Sequence, residues 1–326
     1  GDLSKVQQLM LAVLVGAVST LAMAPVSFWP VLFFTLPVLI WLIDIARWYE
    51  ATNPPSEAHS VYAVITRLAL TGWAFGFGYF FVSLYWIGSS FLVEFDKFGW
   101  ALPFAVTLLP AGLAMFYAAG FALTYPLWTK GPSRLFTFSL AIFIVDWLRG
   151  HILTGFPWNL IGHSLTGQLE FMQNIPLFGI YGLSALAAFI FASPATLLNL
   201  KSDKPAEKFL NSTPVLLSLL LLAGLWSYGV WRLNQLGPTS FRNHVELVIV
   251  QPNIAQRDKI STNGRIASLK KTIQLTEKLP PLDKSKHQQR LIIWPETAIA
   301  FALNKSPEIL KRLEQLIEPD TTLITG

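Results

Sequence analysis

Glu296 is the carboxylate whose place in this sequence most suggests chemistry. It follows the apolar run Leu291–Trp294, which predicts a buried β-strand, and Pro295 stiffens the exit from that strand. Functional groups of α/β domains gather beyond the carboxyl ends of strands. A carboxylate held there beside the apolar Trp294, in a partly dry site, could act as a general base. The alternative is an acid that caps or salt-bridges a loop.

The residues after Trp231 predict the elements that would position Glu296. They are a strand at His244–Asn253, a helix at 263–279, a strand at 290–296, a helix at 306–318 and a strand that begins at Thr321. Strand, helix, strand, helix and strand in this order predict an α/β domain, with the second strand in the centre of the sheet. A sheet that stops at its third strand predicts an incomplete domain.

The remainder of the chain predicts a membrane protein. Of the 326 residues, 53% are hydrophobic and only 13% are charged, which is too apolar for an ordinary soluble domain. A helix needs about 20 apolar residues to cross a bilayer. Seven spans are predicted, at about 7–24, 28–45, 68–92, 101–128, 134–149, 176–199 and 213–231.

The first apolar segment has an alternative interpretation as a signal peptide, because Ala22-Met23-Ala24 resembles a cleavage site. Pro25 follows immediately, however, and the apolar sequence resumes at Phe28. We therefore expect this segment to remain in the protein as its first helix.

The basic residues predict the orientation of the helices. With seven spans, the loops on one side carry eight of them and the loops on the other side carry two. The first set is Lys5, Arg47, Arg67, Lys130, Arg134, Lys201, Lys204 and Lys208; the second is Lys97 and Arg149. Since cytoplasmic loops are enriched in Lys and Arg, the N-terminus is predicted in the cytoplasm and the residues after Arg232 outside it.

Composition and spacing exclude several classes of function. The chain has no cysteine, so these 326 residues contain neither disulfides nor thiolate chemistry. The basic residues after Trp231 are scattered and do not interleave with aromatic ones, so no nucleic-acid partner is predicted. No carboxylate is spaced with His151 and His163 as a metal site requires, so neither a metal nor a cofactor is predicted.

Two features inside the spans have structural interpretations. Asp146 lies three residues before Arg149, which predicts a local ion pair rather than a proton path. The near absence of other charges in the spans disfavours a transporter. Gly72 and Gly76 have the spacing that allows two helices to approach closely.

Several stretches together resemble one family. Trp294-Pro295-Glu296, with Gln251-Pro252-Asn253-Ile254 upstream, is similar to the nitrilase-like (carbon-nitrogen hydrolase) domain of apolipoprotein N-acyltransferases. The run LRGH at 148–151 and the run TGFPWN at 154–159 resemble the family's long external loop. The other matching stretches are 86–93, Ala24-Pro25 and Trp29-Pro30. The similarity extends over essentially the whole chain, and WPE after seven spans that carry TGFPWN is specific.

The resemblance implies a helical membrane domain at 1–232 and the N-terminal part of a periplasmic nitrilase-like domain at 233–326. It implies a multi-pass acyltransferase of the bacterial inner membrane. Such an enzyme takes an acyl chain from a phospholipid, typically phosphatidylethanolamine, and transfers it to the α-amine of the diacylglyceryl-cysteine that begins a lipoprotein. The family uses a glutamate as general base, a lysine at the oxyanion and a cysteine that carries the acyl group as a thioester.

Only the glutamate of this triad maps onto the chain, at Glu296. The family's lysine and cysteine lie downstream of the strand that ends at Gly326, so the sequence indicates a fragment of an active enzyme; a family member altered in its site is the alternative. The family also usually has a tryptophan where this chain has Ile260, which changes the expected wall of the site.

Four aromatic residues are predicted to bind substrate, namely Trp86, Phe156, Trp158 and Trp294. The first three, with Phe91, lie near the external ends of the third and fifth spans, where an interfacial belt is the alternative. Their clustering predicts an acyl-chain groove. Two other functions stay open: a membrane-tethered nitrilase-type amidase, and a non-catalytic membrane protein that binds lipoproteins.

Overall fold

The computed structural model describes residues 3–48, 61–201, 205–237, 240–259, 262–296, 298–299 and 306–325. The chain divides into two compact units, Gly1–Gly237 and Pro238–Gly326. The first is helical and the second contains a parallel sheet, which confirms the predicted order of a polytopic helical bundle followed by an α/β unit.

The first unit is built mainly from long helices. They are α1 Lys5–Ser19, α2 Leu32–Trp48, α3 Val61–Ser83, α4 Leu102–Leu123, α5 Arg134–His151, α6 Ile175–Ala192 and α7 Pro205–Gln235. Helix α3 packs against α1, α2 and α4, while α5 packs against α4 and α6. The core between them is rich in fully buried aromatic rings: Phe75, Tyr79, Tyr117, Phe121 and Phe138.

Six segments of the described residues are long and apolar enough to cross a membrane. They are Lys5–Ala22, Trp29–Arg47, Val61–Ser83, Phe95–Leu123, Ile175–Leu197 and Phe209–Gln235. The remaining predicted span corresponds to α5, which has 18 residues and a length of about 27 Å. It differs from the six because it carries Arg134, Asp146 and Arg149, all of them buried.

The third predicted span is wrong at both ends. Helix α3 runs from Val61 to Ser83 rather than over 68–92. At Leu84 the backbone leaves helical geometry, and a 3₁₀ turn follows at Tyr85–Gly88. An apolar window therefore extends beyond its helix, because aromatic residues of the connection are as hydrophobic as those of the span. Trp86 lies in this 3₁₀ turn and not at the end of α3.

Glycines let α3 approach its neighbours at backbone contact distance. A Cβ atom built on Gly72 would lie 2.4 Å from the carbonyl oxygen of Tyr117 on α4, and one built on Gly76 would lie 3.1 Å from the Cα of Ala114. Gly78 faces the backbone of α1 in the same way. The close packing predicted from the spacing of Gly72 and Gly76 is confirmed, and α4 is the helix against which they pack.

The second unit contains a three-stranded parallel sheet in the order β1 Val245–Ile249, β2 Gln289–Ile293 and β3 Thr321–Ile324. Helix α8 Thr262–Glu277 connects the first two strands, and α9 Pro307–Leu316 precedes the third. The apolar core joins the strands to these helices through Val250, Leu269, Ile273, Ile292, Trp294 and Leu313. The prediction that the second strand is central is confirmed.

We expect Gly72→Ala to destabilise the helical unit, because the new methyl group would overlap a backbone carbonyl that cannot rotate away. Overpacking of this kind costs about 1–3 kcal/mol. The matched control is Gly224→Ala on α7, where an added Cβ meets nothing within 4 Å. Thermal unfolding in detergent should show a lower midpoint for the first variant and an equal or higher one for the second. Equal midpoints would contradict the packing.

Candidate functional site

The carboxyl ends of the three strands meet at one edge of the sheet, and Glu296 follows the central strand there. The ladder continues one residue beyond β1 and β2: Val250 N–H donates to Ile293 O at 3.0 Å, and Trp294 N–H donates to Ile324 O at 2.9 Å. Ala298 N–H then donates to Pro295 O at 3.1 Å, which closes a turn with Glu296 at its tip. Rigid strands thus fix the backbone before the carboxylate.

The Glu296 side chain is exposed at this edge. No described residue donates a hydrogen bond or pairs a charge to its carboxylate, so the alternative of a loop-capping acid gains no support from them. An exposed carboxylate at a sheet edge is available to an incoming proton donor. Its catalytic role stays a prediction.

Trp294 occupies a different environment from Glu296, although only Pro295 separates them. Its ring is 3% exposed and belongs to the core of the second unit. Its Nε1–H donates to Thr276 Oγ1 at 3.0 Å, which anchors the strand end to α8. In this structure the Trp294 ring packs in the core next to the turn that carries Glu296. Its contact with substrate remains a prediction.

Several positions that bear on the prediction for Glu296 lie outside the described residues. They are Ile260, at which the resemblance to the family departs, position 297 and positions 300–305. The expected change in the wall of the site at Ile260 is therefore still a prediction.

A second group of predicted residues lies on the loop that follows α5 in the helical unit. Asp146 and Arg149 at the end of this helix are 0% and 1% exposed, and Arg149 Nη2 lies 3.1 Å from Asp146 Oδ1. The predicted local pair is confirmed. The guanidinium also lies over the ring of Phe80 on α3, 4.9 Å from its centroid.

Arg149 reaches far beyond its carboxylate partner. Its Nη1 donates to the carbonyl oxygens of Phe156 at 2.7 Å and Trp158 at 2.6 Å, and Nη2 lies 3.4 Å from the carbonyl of Asn159. Asp146 accepts a hydrogen bond from Ile161 N–H at 3.0 Å. The ion pair is thus hydrogen-bonded to the backbone of four loop residues, Phe156, Trp158, Asn159 and Ile161. The sequence prediction of a simple local pair missed these contacts. A charged pair at the end of an apolar helix was the available signal.

The loop that Arg149 holds has an unfavourable backbone. Leu153, Thr154, Gly155 and Asn159 have φ values of 52°, 73°, 78° and 52°. For residues with a Cβ, this left-handed region costs about 1–3 kcal/mol each and persists only where the surroundings enforce it. The buried hydrogen bonds to Arg149 supply that enforcement.

The loop presents two of the predicted substrate-binding residues side by side. The ring centroids of Phe156 and Trp158 lie 5.1 Å apart, and Trp158 is 53% exposed. Trp86 is also half-exposed, but no ring contact joins it to either of them in the described part of the chain. The structure therefore brings Phe156 and Trp158 together and leaves Trp86 on the separate connection after α3.

The histidines of the loop have local partners. His151 Nδ1 lies 2.7 Å from Trp147 O, and His163 Nδ1 accepts from Leu160 N–H at 3.1 Å. Within the described ranges, no three His, Asp or Glu side chains are grouped closely enough to hold a metal ion.

Comparison with known proteins identifies the family. Residues 15–193, which carry the bundle from α1 through α6 and the loop held by Arg149, match the model of the apolipoprotein N-acyltransferase N-terminal domain. The chain belongs to the apolipoprotein N-acyltransferase family. The resemblance drawn from TGFPWN, which lies within this match, and from WPE and QPNI, over which the relatives align, is confirmed.

Curated relatives extend this similarity across both units. The apolipoprotein N-acyltransferase of Rhodopseudomonas palustris is 38% identical over 317 residues, which are 97% of this chain and 56% of the relative. That of Bradyrhizobium diazoefficiens is 39% identical over 318 residues, again 97% and 56%. That of Sinorhizobium medicae is 32% identical over 324 residues, 99% and 58%. The chain thus spans a little over half the length of the curated relatives it matches.

We expect Arg149→Lys to loosen the loop while it keeps the charge. In Arg149, Nη1 reaches the carbonyls of Phe156 and Trp158 while Nη2 reaches Asp146. The single ammonium nitrogen of a lysine, on a shorter side chain, cannot occupy both of these positions. Each buried carbonyl left without a donor costs about 1–3 kcal/mol. Hydrogen–deuterium exchange should rise at least tenfold in peptides that cover 150–161.

Peptides from the middle of α7 provide the internal control for this experiment, because that segment does not contact Arg149. Unchanged exchange at 150–161 in a variant whose unfolding midpoint also stays unchanged would contradict the role of the guanidinium.

Proposed function

We propose that the full-length protein transfers an acyl chain from a phospholipid to the α-amine of the diacylglyceryl-cysteine of lipoproteins. The observation that carries the proposal is family membership: the match covers residues 15–193 of the membrane unit, and the relatives align across both units. The exposed carboxylate of Glu296 at the carboxyl edge of the sheet supports it. Both substrates are lipids anchored in a bilayer, which suits a protein with an apolar helical base.

In this proposal Glu296 is the general base. It accepts the proton of a cysteine thiol, whose sulfur attacks the ester carbonyl of the phospholipid. The ester C–O bond then breaks, and Glu296 returns the proton to the leaving oxygen, so that lysophospholipid departs as an alcohol. The amine of the lipoprotein attacks the thioester, loses a proton to Glu296 and forms the amide, and the sulfur leaves and recovers that proton as a thiol. A lysine stabilises the oxyanion in both tetrahedral intermediates.

The thiol of this mechanism needs a source outside these residues, because the 326 positions contain no cysteine. Under the proposal, both the cysteine and the lysine are encoded after Gly326. Sequencing of the reading frame beyond this position tests that requirement directly, since a frame that adds neither residue would refute the triad.

We further propose that the second unit, as the N-terminal part of a nitrilase-like domain, faces the periplasm. The charge bias supports this orientation. Burial of Arg134 and Arg149 removes one basic residue from each side, so eight against two becomes seven against one. With its charges paired inside the bundle, α5 can serve as a seventh crossing, which leaves the end of α7 outside the cytoplasm.

The lipid donor is proposed to meet the protein beside the loop that Arg149 holds. Phe156 and Trp158 present adjoining aromatic rings there, and Trp158 is free to contact lipid. Aromatic rings with a polar edge favour the depth of the lipid headgroups. Trp86, on the separate connection after α3, is half-exposed as well, and its contact with lipid is part of the proposal.

We expect Glu296→Gln in the full-length protein to lower acyl transfer by about 100-fold or more, which is the usual contribution of a general base. The neutral amide has the same shape but accepts no proton. Turnover of a diacylated lipopeptide in phosphatidylethanolamine vesicles measures it. Glu314→Gln is the matched control, because Glu314 is an exposed carboxylate on α9, away from the sheet edge.

The same assay separates the alternatives. A membrane-tethered amidase would turn over a soluble amide without phospholipid and would lose that activity in Glu296→Gln. If the protein only binds lipoproteins, the unsubstituted protein and Glu296→Gln should bind the lipopeptide equally well, and neither should acylate it. Either pattern would overturn the acyltransferase.

We expect Trp158→Ala to lower phospholipid-dependent acylation by about tenfold, equivalent to about 1.4 kcal/mol, because the lipid loses an apolar contact. Trp100→Ala is the control, since Trp100 is an exposed tryptophan in the 3₁₀ turn before α4 and makes no ring contact with the loop. Initial rates at several phospholipid concentrations measure the effect. Equal loss in both variants would indicate a general interfacial role instead.

A further inference from the structure

A small cavity lies where α1, α2 and α3 meet, near the start of α1, the end of α2 and the start of α3. Its volume is about 60 Å³, close to that of two water molecules in the liquid. It therefore admits one compact polar group rather than a whole organic molecule. The lining residues are Lys5, Gln8 and Leu9 of α1, Ala46 of α2, and Arg67, Leu70 and Thr71 of α3.

The cavity has an apolar base. Ala12, Leu42 and Ala74 are all buried and pack together as one apolar cluster. Each of them lies one helical turn further into the bundle than a lining residue of its own helix. This cluster closes the cavity toward the centre of the membrane, so a ligand would reach it from the bilayer surface.

The polar groups of the cavity include two cations. Lys5 and Gln8 lie three residues apart on α1, which places them on one face of the helix. Arg67 and Thr71, four residues apart on α3, share a face in the same way. Gln8 Nε2 donates to Leu3 O at 2.9 Å, and its second hydrogen makes it a further donor. Among the described residues that line the cavity, two are basic and none is acidic.

The carboxylate of α2 is engaged elsewhere. Asp44 Oδ2 lies 3.4 Å from Arg134 Nε, and Asp44 Oδ1 accepts a hydrogen bond from Trp128 Nε1 at 2.8 Å. Two like charges at one cavity favour an anionic ligand. A phosphate group combines a negative charge with a compact shape and several oxygen acceptors, so it suits a cavity of this size and charge.

The cavity is distant from the loop that Arg149 holds. Helix α3 passes both: Arg67 lines the cavity, and Ser83 O at the other end of the helix accepts from Asn159 Nδ2 of the loop at 3.5 Å. The helix from position 67 to position 83 is about 24 Å long, whereas one leaflet is about 15 Å deep. The two sites therefore lie in different leaflets. In the proposed orientation the cavity belongs to the cytoplasmic leaflet, whose surface is negatively charged.

We propose that this cavity binds the phosphate of an anionic phospholipid, in the leaflet opposite the loop that Arg149 holds. Lys5 and Arg67 donate charge-assisted hydrogen bonds to the phosphate oxygens. Leu9 and Leu70 line the same cavity and are partly or fully exposed, so they contact the first methylene groups of the lipid. The bound lipid joins the first turn of α1 to α3 and stabilises the bundle.

The charge of the cavity also determines which headgroup it selects. Phosphatidylglycerol has a phosphate and no ammonium group, whereas phosphatidylethanolamine has both. With two cations and no described carboxylate in the lining, the ammonium group would meet only like charges. The site thus differs from the proposed acyl donor in its leaflet and in its headgroup, and binding there requires no acyl transfer.

The test uses the full-length protein in micelles of a neutral detergent that contain either phosphatidylglycerol or phosphatidylethanolamine at the same mole fraction. Native mass spectrometry counts the lipids that each protein retains. We expect one phosphatidylglycerol to be retained, at least fivefold more than phosphatidylethanolamine. The unfolding midpoint should rise with phosphatidylglycerol, because a ligand of the folded state stabilises it. Equal retention of the two lipids would overturn the proposal.

Substitutions locate the binding. One basic residue near an anionic lipid contributes about fivefold to binding, so Lys5→Gln should lower retention of phosphatidylglycerol by about that factor. Arg67→Gln should lower it at least tenfold, and Arg67→Lys, which keeps the charge, should restore most of it. Lys130→Gln is the matched control, because Lys130 is an exposed lysine between α4 and α5 that does not line the cavity. An equal loss in Lys5→Gln and Lys130→Gln would indicate general attraction and reject the site.

Inorganic phosphate distinguishes a lipid from a free anion. Millimolar phosphate without phosphatidylglycerol should leave the unfolding midpoint unchanged, and an equal rise with phosphate alone would reject the lipid as the ligand. Micelles give both sides of the protein access to lipid, so the result does not depend on its orientation. Selective binding without any acyl transfer would keep the site and reject the proposed function, while normal transfer without selective binding would reject the site alone.

Discussion

Arg149 and Asp146 form an ion pair inside an apolar bundle, where leaving either charge unpaired costs about 3–5 kcal/mol. The guanidinium has more donors than one carboxylate can use. Its Nη1 and Nη2 also reach carbonyls of the loop after α5, while Nε is buried without a partner among the described residues. Because the Arg149 guanidinium is buried and cannot donate to water, its Nη groups are satisfied only by this arrangement of the loop carbonyls. The positions of Phe156 and Trp158 depend on that constraint.

Close approach of α3 and α4 provides the framework for this arrangement. The glycines of α3 remove side chains at the contact with Tyr117 and Ala114, so the backbones meet directly. Tyr79, on the same helix, donates its hydroxyl to the carbonyl of Asn159 at 3.1 Å, which ties the loop to α3 as well. Packing of small residues and hydrogen bonds replaces the hydrophobic driving force, which is absent between helices in lipid.

The position of Glu296, in the second unit, is set by the hydrogen bonds of parallel strands rather than by a buried charge. Hydrogen bonds continue past the ends of β2, so the chain is rigid up to Trp294. Trp294 is buried in the apolar core, where its indole N–H donates to Thr276, and the turn beyond it exposes the carboxylate. A single proline thus separates a core residue from a residue of the sheet edge, and the two have opposite environments.

The sequence alone determined the membrane helices, the order of strands and helices, the pairing of Asp146 with Arg149 and the family, because apolar periodicity, local spacing and short motifs are properties of neighbouring residues. It placed the end of α3 wrongly, since aromatic residues of a connection and of a span are equally apolar. Only the tertiary structure decided that Arg149 holds three carbonyls up to ten residues away, that Trp294 is buried, and that Lys5 and Arg67 line one cavity. These depend on how distant backbones approach one another, and a linear pattern contains no information on that distance.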